Sequence, residues 1–449
     1  MRRASLGGLL YIIFSITGVS FPGMGAELAA QEGGALRLSP ERVVELALAR
    51  SPDLRKSFID LSLSAYAASH RRAELFPEIS AGAGLNYGTN LFSGEGPRAS
   101  GDALRTSASL GLSFRFNAAL PSAMRITSLA YQSQLLSYES LRRQVGILVV
   151  KEFYSLLAEK QALSHLEEVL VLAERQLEKN RTAFEFGLLG QLVYLQSQLS
   201  AETAKLNLSR ARSAYGSRLG EFLELLGYDP KTGAEPEGVI AINRIEVDPE
   251  GLIREYLPRR PDIVGQRQTI ERLELTERRT VLTGKAPSLS LSAQWDGGWS
   301  ADFTDTLRGT LSLVIPIEAW IPGTRGNQTL RAAAGEVEKA RLDLQNAEDR
   351  AKAEIRSLTE NLRNSWDSIE IARLRVEIAE RTYELTEQGF QNGTVEFLTL
   401  EDTRNNMAEA RQQLLSDELA YKLMTLDLAA ALNINADELN ADQEERSLR

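Results

Sequence analysis

The chain has no cysteine in 449 residues. Disulfides, thiolate catalysis, cysteine metal sites and a lipid-modified N-terminal cysteine are therefore all excluded. Histidine is nearly absent as well: His70 and His165 each stand alone within a helical pattern, where a packed or solvated side chain accounts for them. No glycine-rich phosphate loop, HExxH pair, nucleophile elbow or calcium loop occurs. Carboxylate pairs such as Glu380 and Glu384 have the spacing of a solvated helix face. The expectation is a non-enzyme without cofactors. A basic surplus is also missing, because the formal net charge is -10, which argues against a nucleic-acid partner.

Long hydrophobic runs are missing beyond the first 30 residues. Residues 1–30 read as a secretory signal: Arg2 and Arg3, an apolar core from Leu6 to Phe21, and cleavage expected near Ala26 or Ala30. That core falls short of the ~20 apolar residues of a spanning helix. Proline is absent from Ser122 to Asp229 and again from Gly323 onward. In the second run Ile355, Leu358, Leu362, Ile369, Ala372, Val376, Ala379 and Tyr383 form a heptad seam. Met407, Ala410, Leu414, Tyr421, Met424, Leu428 and Ala431 form another. Such sustained spacing implies coiled-coil packing, and a helix of about 65 residues reaches roughly 100 Å. Many seam positions are small, so the helices can pack closely.

What the chain does contain, it contains twice. Ser51-Pro52-Asp53-Leu54 opens a helical stretch that leads to the alternating run from Pro77, and Arg260-Pro261-Asp262-Ile263 opens one that leads to the run from Pro287. The expected organisation is a first repeat over 38–227, a linker over 228–248, a second repeat over 249–434 and an acidic tail over 435–449. Within the repeats, strand hairpins are expected at about 78–116 and 288–317, and glycine turns at about 184–190 and 389–395. Pro121, Pro316, Pro322 and Gly323 mark the strand-to-helix joints.

The four strands alternate cleanly. Ile79, Ala81, Ala83, Leu85 and Tyr87 share one face of the first; Ala108, Leu110, Leu112, Phe114 and Phe116 share one face of the second. Leu289, Leu291, Ala293 and Trp295 do so in the third, and Leu307, Leu311, Leu313, Ile315 and Ile317 in the fourth. A half-buried strand in a soluble sheet gives the same alternation, but four segments of about ten residues on an exported chain suit outer-membrane strands. A membrane barrel needs at least about eight strands, and an open edge in lipid leaves backbone groups unsatisfied. A spanning barrel must then be shared between chains. Segments Gly88 to Arg105 and Gly297 to Thr306 are expected as outward loops.

Together these features resemble the TolC family of outer-membrane efflux proteins. The resemblance covers about residues 38–434 and is carried best by Ser39-Pro40-Glu41-Arg42-Val43-Val44-Glu45-Leu46 and by Gly393-Thr394-Val395-Glu396-Phe397-Leu398-Thr399-Leu400-Glu401-Asp402. It implies a mainly α fold with membrane β: a duplicated long-helix coiled-coil barrel, plus four strands per chain contributing to a trimeric twelve-stranded β-barrel. It implies a passive export duct of a tripartite efflux or type I secretion system. The partners would be two further copies in a homotrimer, a periplasmic adaptor, an inner-membrane pump of RND or ABC type, and outer-membrane lipid. Adaptors of the family dock on short Val-Gly-Leu and Val-Gly-Thr-like turns, matched here by Phe186, Gly187 and Leu188 and by Asn392, Gly393 and Thr394. Phe and Asn replace the first valines. The family's entrance narrows to an acidic ring, which places Asp402 at the constriction with Thr399 where some members carry a second acid. Phe390, Val193 and Val395 stand where relatives hold the tip closed with polar residues, so apolar packing is expected there. The competing reading is a structural or adhesive coiled-coil envelope protein without channel activity. Cargo is left open, and the low Met, His and Cys content gives no support to metal export.

Overall fold

The computed structural model describes residues 36–88, 103–299 and 303–434. The expected signal, the acidic tail and most of the 88–105 loop lie outside these residues. The chain runs from β1 (Leu36–Leu38) through α1 (Pro40–Arg50) and α2 (Pro52–Ser69) to a strand hairpin, β2 (Glu78–Gly88) and β3 (Ala103–Phe116). Two long helices follow, α3 (Leu120–Glu185) and α4 (Gln191–Leu225). After β4 (Ala234–Pro236) and α5 (Pro249–Tyr256), the pattern repeats as α6 (Pro261–Lys285), β5 (Ser288–Trp299), β6 (Phe303–Val314), α7 (Arg325–Gln391) and α8 (Phe397–Leu432). At 66 and 67 residues, α3 and α7 extend about 100 Å.

Local chemistry sets the helix ends. Proline occupies the first turn of α1, α2, α5 and α6, where its missing N–H costs no hydrogen bond. The Asp248 carboxylate caps α5, accepting from Glu250 N–H at 3.1 Å and Gly251 N–H at 2.9 Å. The heptad seams do pack: Ile355, Leu362 and Ile369 of α7 and Met407, Tyr421 and Leu428 of α8 are buried.

The four strands form one antiparallel sheet in the order β2-β3-β5-β6. Its register puts like with like. Ile79 faces Leu112, Phe116 faces Leu289, Leu289 faces Leu313, and Leu291 faces Leu311, so the large apolar residues share one face, apart from Val314 opposite Ser288. The other face carries Ser, Gly, Thr, Gln294, Asp296, Arg308 and Arg115. The apolar face is bare, with Ile79, Leu85, Leu307 and Leu311 all exposed. Among the described residues β2 pairs with β3 alone and β6 with β5 alone, so the sheet has two open edges.

Two details differ from the sequence expectation. Segment 297–306 is mostly strand rather than loop, since the ladder continues to Trp299 opposite Phe303. The fourth strand ends at Val314 rather than 317, because Pro316 has no N–H to donate and a short 3₁₀ turn, Glu318–Trp320, follows.

The helices line up side by side as a wall. Nearer the strands the order is α2-α3-α6-α7, and beyond the equator it is α4-α3-α8-α7. Ion pairs stitch neighbours together: Arg125–Glu271 (α3–α6, 3.0 Å), Arg341–Glu274 (α7–α6, 2.9 Å), Arg212–Glu167 (α4–α3, 2.6 Å) and Arg411 of α8 to both Glu168 of α3 and Glu380 of α7. At the equator sits the thickest core, where Leu38, Val43 and Leu46 pack against Phe153, Leu156 and Phe222. Segment 228–248 belongs to that packing. β4 pairs in parallel with β1, Ile240 and Ile245 are buried, and the Tyr421 hydroxyl accepts from Ile245 N–H (2.9 Å) while donating to Asn243 C=O (2.8 Å).

Candidate functional site

Both tips are built by the same device. At the end of α3, Gly187 adopts φ 72, Leu188 N–H donates to Ala183 C=O (2.8 Å), and Gly187 N–H donates to Phe184 C=O (2.9 Å). At the end of α7, Gly393 adopts φ 71, Thr394 N–H donates to Gly389 C=O (2.9 Å), and Gly393 N–H to Phe390 C=O (3.0 Å). Each is a Schellman cap, which needs a left-handed residue just past the helix and so selects glycine. The chain then reverses within a few residues into α4 or α8.

The surfaces of the two tips differ. The first is apolar, with Phe186 at 75% exposure and Leu188 at 81%. The second presents Asn392, Gly393 and Thr394, all exposed and polar or bare. Behind the second turn Phe390 is half-buried, its ring 5.8 Å from Phe397. Val395 packs onto Gly389 so closely that a Cβ there would lie 2.6 Å from its Cγ2. Val193, in the first turn of α4, is half-buried. Phe184 and Tyr194 stack at 5.3 Å beneath the first tip.

Asp402 and Thr399 share one face of α8, three residues apart, and both are exposed. Gln196 occupies the position of Asp402 in the first repeat. Glu401 turns the other way. Its carboxylate accepts from the Ser200 hydroxyl of α4 at 2.6 Å and pairs with Arg404 at 2.7 Å. An Arg404 N–H also donates to Ser200 Oγ at 2.7 Å, and Arg404 is only 5% exposed. This trio, with Arg404 buried at its centre, ties the two halves together. Burial pushes the nearby Tyr383 hydroxyl above its usual range, with Glu387 reinforcing and Arg404 opposing. The Glu401-x-x-Arg404 spacing was legible as a helical ion pair, but nothing in the sequence pointed to Ser200, which lies in the other repeat.

The family model described as outer membrane efflux protein matches residues 43–227 and 252–433. The chain belongs to the outer membrane efflux protein family. Among relatives, it is 27% identical over 436 residues to the probable efflux pump outer membrane protein TtgC of Pseudomonas putida, covering 92% of this chain and 87% of that one. It is 22% identical over 423 residues to outer membrane protein TolC of Escherichia coli, covering 89% and 83%. Among solved structures, CusC superposes with a TM-score of 0.71 at 16% identity, covering 91% of this chain and 96% of the other. The Campylobacter jejuni CmeC outer membrane channel gives 0.71 at 18% identity, covering 91% and 90%. Membership makes this an outer-membrane protein with a periplasmic helical part and a channel role. The structural or adhesive reading falls away.

Proposed function

We propose that three copies of this efflux protein close into one passive duct, with the strands in the outer membrane and the tips at a periplasmic entrance. The observation that carries this is the coincidence of open edges. β2, α2 and α4 stand at one side of the wall, and β6 and α7 at the other. On α4, Leu192, Leu195, Leu199 and Leu206 are exposed, and on α7, Ile371, Leu374, Ile378 and Leu385 are exposed. Both stripes have the same three-four-seven spacing and lie close above their tips. A head-to-tail contact repeated around a threefold axis would cover both stripes and pair the free strand edges at once. Three four-stranded sheets then give the twelve strands that satisfy every edge.

In this duct the tips Phe186-Gly187-Leu188 and Asn392-Gly393-Thr394 receive a periplasmic adaptor, and an inner-membrane pump supplies the energy. Three Asp402 carboxylates, with Thr399 beside them, line the narrowing. The cysteine-free chain makes the test clean. A variant carrying Leu199→Cys and Leu385→Cys, which stand at similar heights above the two tips, should oxidise to a covalently closed trimer in detergent, and the trimer should conduct in planar bilayers. A monomer that extracts without detergent, with no crosslink, would sink the reading.

A further inference from the structure

We infer that the joint between the strands and the helices is a binding collar for anionic phospholipid headgroups, on the leaflet that faces the helical part. The inference rests on the outer-membrane placement of the sheet. The bare apolar face does not stop where the strands stop. Phe116, Leu289 and Leu313 lie side by side at its helix-proximal end, and Ile315 and Ile317 continue the parity of Leu311 and Leu313 past Val314. Both isoleucines are exposed, as is Trp320. An apolar band ending in an exposed indole is how a chain meets the boundary between acyl chains and headgroups.

Some arginines further down the wall are matched to carboxylates, as in Arg125–Glu271, Arg267–Glu348 and Arg341–Glu274. The cations at the joint are not, and here they stand beside the apolar band. Arg71 and Arg72, just before β2, Lys285, just before β5, and Arg325, at the start of α7, make no ion pair among the described residues. The carboxylates nearest this level are Glu74, Glu78 at the start of β2, and Glu318, and Glu318 is engaged in accepting from Gly326 N–H at 3.1 Å. Lys285 lies with its Nζ 5.0 Å over the Trp320 ring, which holds an ammonium beside the indole at the end of the apolar band. Cations on short leashes above exposed apolar side chains fit a phosphate whose acyl chains run along the sheet. A cation near an anionic membrane surface contributes about fivefold in binding.

The test uses the full chain, purified as its native oligomer and reconstituted in nanodiscs of phosphatidylcholine with a graded fraction of phosphatidylglycerol. Co-retained lipid is counted by native mass spectrometry. The wild type should retain phosphatidylglycerol over phosphatidylcholine by at least tenfold, and added salt should reduce this. The variant Arg71→Gln, Arg72→Gln, Lys285→Gln, Arg325→Gln should lose the preference while still inserting. Arg71→Lys, Arg72→Lys and Arg325→Lys together should keep it. Equal retention of both lipids by the wild type, or an unchanged preference in the glutamine variant, overturns the inference. So does loss of the oligomer in the glutamine variant at every lipid composition, because the cations would then be serving a neighbouring copy. Failure of the wild type to insert into any bilayer counts against the outer-membrane placement itself and removes this inference with it.

Discussion

At the scale of single residues, the most consequential group is the trio Ser200, Glu401 and Arg404. A buried ion pair contributes little net stability over an apolar pair of equal volume, but breaking one side strands a charge. Arg404→Ala should therefore cost about 3–5 kcal/mol, read as a lowered midpoint of thermal or denaturant unfolding. Arg404→Met combined with Glu401→Leu should recover most of it, and a double as unstable as the single would refute the assignment. Gly389 makes a second case. An ordinary helical Gly→Ala change stabilises, yet here the added methyl meets Val395 at 2.6 Å. Gly389→Ala should cost about 1–3 kcal/mol, and Val395→Ala should relieve it. Gly393→Ala tests something different, because that Cβ would meet open space and only the left-handed backbone resists it. The chain itself shows the milder alternative: Asn433 takes φ 62 at the end of α8. Gly393→Asn should thus be better tolerated than Gly393→Ala.

At the scale of elements, the long helices and the four strands were legible because each repeats one period many times. Ile355 to Tyr383 reads as a heptad seam however its neighbours pack, and Leu289 to Trp295 reads as a strand. The equatorial segment had no such signal. β1 and β4 have three residues each, too few to show alternation, and Tyr421 gives no hint that its hydroxyl will hold Asn243 and Ile245. Tertiary packing made that structure. Its charges suggest how to loosen it. Lys160 donates to Glu235 at 2.8 Å and to Pro236 C=O at 2.9 Å, tying β4 to α3, while Arg356 pairs with Glu250 at 2.8 Å and ties α5 to α7. The hydrogen bond from Lys160 holds the Glu235 carboxyl below its usual range, and that from Arg356 does the same for Glu250. A depressed folded pKa stabilises above the unfolded value, about 4.3, and the contribution disappears as pH falls through the folded value. Amide protection factors across 234–236 and 249–256 should therefore fall below about pH 4, sooner than across the α7–α8 seam. An equal fall in protection across all three regions would contradict this.

At the scale of the whole molecule, the two repeats are alike in architecture and unlike in charge. Each contributes a strand hairpin, a pair of long helices and a Schellman tip, yet Gln196 stands in the first where Asp402 stands in the second. A threefold assembly would turn that single difference into a ring of three carboxylates. An ion about 4 Å from a carboxylate in water gains roughly 1 kcal/mol from each. Screening at physiological salt, with a Debye length of about 8 Å, trims the total. Asp402→Asn should then lower the cation-over-anion permeability ratio by about tenfold and relieve block by multivalent cations added on the tip side. Thr399→Asp, on the same helix face, should act in the opposite direction by adding a second ring. Both effects would be read from reversal potentials under a salt gradient in planar bilayers. If Asp402 instead lies on the outer wall, neither substitution will move the reversal potential while single-channel conductance stays at the wild-type value. That outcome would leave the duct intact and remove Asp402 from its entrance.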